Sequence, residues 1–259
     1  MISQLYLKSG YTHIMCILRS IYEMHLTKGV VILIPGFSQS SSDIDYFMTN
    51  LSNVLNRQGY VTVQVDIYGH GDSYGDLSEL TVRIMQDNVI SVYEYVKSVF
   101  NDKPIYAISR GFYGNLLCDE NLSIGFSKMI CINPVIAKLD IKDYIKCKKD
   151  ELIEISERIS LNSSLENLFA ALGAENTNLR GQCIKGSLLW EIADIINYKW
   201  GQPANVIILS SYNDQNRINR AMNCGETELT VDYISNHCFV RDADWQFELI
   251  NFAVAIIEE

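Results

Sequence analysis

The chain has 259 residues, 48% hydrophobic and 20% charged, with a formal net charge of -10 at pH 7. That length can bury one large core, and no apolar run approaches the roughly 20 residues that a membrane-spanning helix needs. The acidic balance excludes binding to nucleic acid phosphates or anionic membrane surfaces, which requires clustered Lys and Arg; the densest basic stretch, KCKKDE at 146–151, turns acidic at once. Seven cysteines at irregular spacing, with no C-x-x-C pair, point to reduced thiols rather than a disulfide framework or a cysteine-held metal. Residues 1–20 lack a basic stretch followed by an apolar core, so a cytoplasmic location is expected.

In chain order, 14–18 and 30–34 read as strands. The second, VVILI, is the unbroken run of a strand buried on both faces, and it stops at Pro35-Gly36. Within 43–55, Ile44, Phe47, Met48, Leu51 and Leu55 fall on one helical face, with Gly59 as a stop signal. VTVQVD at 61–66 is the next strand and runs into the turn-rich IYGHGDSYGD. Apolar Val82, Met85, Val89, Val92 and Val96 predict a helix over 80–99. A strand at 105–108, a helix at 112–118 and a strand at 129–134 continue the alternation. Such alternation predicts an α/β fold with a mostly parallel sheet covered by helices on both faces, and ligands at the carboxyl ends of its strands. The rhythm breaks over 136–200, where helical stretches at 141–159, 164–172 and 187–196 come with no convincing strand. This reads as a helical cap insertion within a single domain spanning 1–259. Strands at 205–210 and 228–234 and an amphipathic helix at 244–257 complete the pattern.

Five features carry a resemblance. GVVILIPGFS (29–38) resembles a strand and loop that form an oxyanion hole, and DIYGHGDS (66–73) resembles a D-x-x-G-H-G-x-S loop. Residues 104–117 are similar to a strand, elbow and helix that hold a nucleophile. Residues 206–214 are similar to a strand and loop carrying an acid, and His237 with HCFVRDADWQFELI resembles a catalytic histidine and its closing helix. In this order they resemble the α/β-hydrolase superfamily, in its serine esterase, thioesterase and lysophospholipase-like group. The resemblance implies a hydrolase or acyl transferase acting on an ester or thioester of a small acyl substrate, free or carrier-bound. It implies no cofactor, metal, nucleic acid or membrane partner, and it leaves the oligomeric state open.

A serine hydroxyl is a poor nucleophile at pH 7; it needs a histidine to take its proton and a carboxylate to orient that histidine. The resemblance assigns these roles to His237 and Asp214, with Asp232 and Asp242 as alternatives for the acid. The serine itself has two registers. Matching the pentapeptide Ala107-Ile108-Ser109-Arg110-Gly111 makes Ser109 the nucleophile, with the Phe37 and Arg110 amides as oxyanion donors and a strand shortened to 103–106. Matching strand length puts Gly111 at the elbow and Tyr113 where strand and helix pack closely, so that no nucleophile remains and His237 acts on a water or a bound ligand. Each register breaks one rule.

Other residues have plainer roles. Asp66 and His70 are expected to shape a tight turn, with Gly69 and Gly71 at positive φ. Ser38, Ser40, Ser41 and Ser42 form a polar loop capping the helix expected from Asp43. Arg110 either meets a substrate carboxylate or phosphate or pairs with a nearby acid, Asp119 or Glu120.

Overall fold

The structure, a computed structural model, describes residues 1–117, 125–134, 176–179, 182–185, 187–188, 191–192, 206–209 and 243–258. In chain order the elements are β1 (Ile2–Ser9), β2 (Thr12–Arg19), β3 (Val30–Ile34), α1 (Phe47–Arg57), β4 (Val61–Val65), α2 (Val82–Val99), β5 (Ile105–Arg110) and α3 (Phe112–Leu117). Then follow β6 (Lys128–Ile132), β7 (Asn176–Leu179), β8 (Gln182–Lys185), β9 (Val206–Leu209) and the C-terminal helix α4 (Ala243–Glu258). Among the described residues seven strands form one sheet in the order β1-β2-β4-β3-β5-β6-β9. The β1–β2 hairpin and the β2–β4 pair are antiparallel, and the rest are parallel.

Strand alternation divides the core into two layers. Val30, Ile32 and Ile34 of β3, Ile105 and Ala107 of β5, and Met129 and Cys131 of β6 pack with α2 and α3. Val31 and Leu33, Ile108, and Ile130 and Ile132 face the other way, onto α1 and α4. Both faces of the central strands are therefore buried, which is why VVILI needs no polar alternation. Burying a core leucine or isoleucine contributes about 1.5–3 kcal/mol, so this double-sided packing rigidly positions the strand ends where loops meet.

Several sequence expectations are corrected. Helix α1 starts at Phe47, after a 3-10 turn at Ile44–Tyr46, because Asp45 and Tyr46 have left-handed φ of 49° and 60° and interrupt the helix expected from Asp43. The segment expected to be helical contains strands: β7 and β8 pair antiparallel. Ile184, Leu188 and Ile192 are buried in the α2-side layer, and the Val82 N–H donates to the Glu191 carboxylate at 2.8 Å, so this part of the chain is docked on the start of α2. The expected helices at 141–159 and 164–172 and the strand at 228–234 lie outside the described residues. No helix among the described residues is long and apolar enough to cross a membrane.

Candidate functional site

The carboxyl ends of β3 and β5 lie side by side, with Ile34 paired to Ser109 and Arg110 to Ile132. Strand β5 thus continues two residues beyond the expected 105–108, because Ser109 and Arg110 find partners on β6. The chain turns only at Gly111, whose φ is 64°. Its N–H donates to the Ile132 carbonyl at 2.8 Å, the last rung of the ladder, and its carbonyl accepts the Gly114 N–H at 3.0 Å in the first turn of α3. No described atom lies within 4 Å of where a Gly111 side chain would begin.

This geometry places Ser109, the candidate nucleophile, within β5 and Gly111, the alternative, at the turn. Ser109 lies inside the strand, shares the face of Ala107, is 0% exposed, and its buried Oγ has no hydrogen-bond partner among the described residues. Its side chain therefore points to the α2 side of the sheet, where Ala107 packs. Arg110, the candidate oxyanion donor, is the last residue of β5, and the residue that follows the turn at Gly111 is Phe112, the first of α3. The crowding expected at Tyr113 falls one residue later. Tyr113 is accommodated at 1% exposure, whereas a methyl group on Gly114 would come within 3.0 Å of the Cys131 Cβ.

The loop after β3 carries Phe37 and is held from three sides. The Ser38 N–H donates to His70 Nε2 at 3.0 Å; Nε2 must therefore be unprotonated, and Nδ1 donates to the Tyr68 carbonyl at 2.9 Å. Burial pushes the His70 pKa below its ordinary 6.5, which fits this neutral tautomer. The Phe37 and His70 rings meet edge to face at 6.0 Å. Asp66 accepts the Ser41 N–H on one carboxylate oxygen and the Asp72 N–H on the other at 2.8 Å. Gln64 donates to the Ser41 carbonyl at 2.8 Å. A side chain on Gly71 would strike the Asp66 carboxylate. Asp66, His70 and Gly71 thus hold one loop against another. The serines do not cap α1, whose first turn has no side-chain cap.

The fourth hold is a pair that the sequence did not signal. Arg110 Nε donates to Asp43 Oδ2 at 2.6 Å and Nη2 donates to Oδ1. The Asp43 side chain is 0% exposed and that of Arg110 is 16% exposed. Asp43 lies 67 residues from Arg110, and local spacing pointed instead to Asp119 and Glu120, which lie outside the described residues. Gly36 belongs to the same contact, because a side chain there would fall on the Arg110 guanidinium.

Asp214 and His237 lie outside the described residues, as do Asp232 and Asp242. Among the described residues no group of three or more His, Cys, Asp or Glu could hold a metal ion.

No protein-family model matches the chain, and no curated protein sequence matches it. Solved structures do. Est1E from Butyrivibrio proteoclasticus, bound to ferulic acid, is 19% identical with a TM-score of 0.70 over 98% of this chain and 100% of that one. This chain has the α/β-hydrolase fold. The fold extends to a thermostable carboxyl esterase from Bacillus coagulans in complex with glycerol, 13% identical with a TM-score of 0.68 over 99% of this chain and 98% of that one. It extends also to mouse α/β hydrolase domain-containing protein 10, 14% identical with a TM-score of 0.66 over 99% and 98%. At these identities the likeness is one of architecture.

Proposed function

We propose that this chain is an α/β-hydrolase-fold protein without a covalent nucleophile, which binds a small acyl-type ligand at the carboxyl edge of its sheet and acts on it non-covalently through His237. The observation that carries this reading is Gly111 at φ 64° in the turn between β5 and α3. In the hydrolase fold the nucleophile occupies this strained strand-to-helix turn, and a glycine offers no side chain there. Retention of the pinned Phe37 loop supports a site kept for binding, since backbone strain persists where surrounding structure over-determines it.

The test is gain of function. Wild type and Ser109→Ala should both resist a fluorophosphonate probe. Gly111→Ser places a hydroxyl at the vacant turn, at about 1–2 kcal/mol of left-handed strain, and should become labelled in a manner abolished by a further His237→Ala. Labelling of wild type at Ser109 would overturn the proposal. Failure of Gly111→Ser to label would remove the role given to His237.

A further inference from the structure

Resting on this reading of the elbow, we propose that Arg110 recognises the ligand through a carboxylate or phosphate group, using the edge of its guanidinium that Asp43 leaves open. An arginine offers five N–H donors in a planar fork. Asp43 takes one edge, through Nε and Nη2, and its Oδ1 also accepts the Ile44 N–H at 2.8 Å, so the carboxylate is fixed by the loop as well as by the arginine. The opposite edge, formed by Nη1 and the second Nη2 hydrogen, has no acceptor among the described residues. It matches the spacing of two oxygens on a carboxylate or phosphate.

The placement is built rather than incidental. Arg110 is the last residue of β5 and precedes the vacant elbow. Its guanidinium lies on Gly36 at the tip of β3. Gly36 does not have a positive φ, so what glycine supplies there is room for the guanidinium. Two adjacent strand tips at the carboxyl edge are where this class of sheet binds its ligands. Because Asp43 cancels the charge of Arg110, recognition rests on directional hydrogen bonds at short range. Affinity for a simple anion is therefore modest, and its dependence on salt is shallow.

The experiment is titration calorimetry of the whole chain with benzoate, inorganic phosphate and the neutral analogue benzamide. Benzoate, phosphate or both should bind with one site while benzamide does not, and whichever anion binds identifies the ligand group. Binding should fall by about tenfold or more in Arg110→Lys, which keeps the charge and loses the fork. The same fall is expected in the double variant Arg110→Gln/Asp43→Asn, which leaves no buried charge unpaired and so guards against simple misfolding. The proposal is overturned if neither anion binds, if benzamide binds as well as benzoate, or if both variants bind like wild type. Labelling of Gly111→Ser reports on the elbow by itself, so this inference can fail while the vacant elbow stands.

Discussion

Tyr113 and Ser109 each bury a hydroxyl that has no hydrogen-bond partner among the described residues, and an unmade bond of this kind costs about 1–3 kcal/mol. Burial alone pushes the Tyr113 phenol far above its ordinary pKa, so the group stays neutral and contributes only its ring. Tyr113→Phe and Ser109→Ala should each raise the unfolding free energy by about 1 kcal/mol, read by urea denaturation; a clear loss in either would show that its hydroxyl is bonded after all. His70 behaves in the opposite sense to a paired cation. Its folded pKa is depressed below 6.5, so the unfolded chain takes up a proton first as the pH falls. The stability from neutral His70 is complete above pH 6.5 and is lost as the pH drops from there toward the folded pKa. Protonated Nε2 can no longer accept the Ser38 N–H, and thermal melts of His70→Gln should show a shallower decline than wild type between about pH 6.5 and 5. An equal decline would place the acid sensitivity elsewhere.

At the scale of elements, the segment between β3 and α1 gathers four of the strained positions among the described residues, with Ser38, Asp43, Asp45 and Tyr46 all at left-handed φ. It is held by His70, Asp66, Gln64 and Arg110, which act from β4, β5 and the loop after β4. Gly36→Ala tests that coupling. The added methyl meets the guanidinium and should cost about 1–3 kcal/mol, most of which should vanish in an Arg110→Ala background; a cost that persists there would mean that the backbone, not the arginine, demands glycine. Element boundaries were legible in proportion to burial. The run VVILI is strand β3 to the residue, since every position is buried. Strands β7 and β8, NTNL and QCIK, are short and polar and carry no apolar periodicity to announce them. The end of β5 was ambiguous because Ser109 and Arg110 are unremarkable in a strand or a turn, and only pairing with Cys131 and Ile132 extends the ladder through them.

For the whole molecule, a net charge of -10 means that folding gathers like charges. Among the described residues the ion pairs are few, and Lys28–Glu258 and Arg83–Asp87 are largely exposed, where such pairs contribute little. Screening should therefore help the folded state: the midpoint of thermal unfolding should rise between about 10 mM and 150 mM NaCl, and a fall would mean that attractive pairs outweigh the net repulsion.

The amino-acid sequence by itself determined the architecture. Strand-helix alternation and fully apolar central strands have one economical solution, a parallel sheet with two covered faces, and the D-x-x-G-H-G-x-S loop marks its edge. Tertiary structure decided where β5 ends and the turn begins. A shift of two residues moves Ser109 between the tip of a turn and the buried interior of a strand, and local preference does not distinguish the two; pairing across to β6 does. The same holds for Arg110, whose partner Asp43 is distant in the chain and is brought near only when β3 and β5 lie side by side.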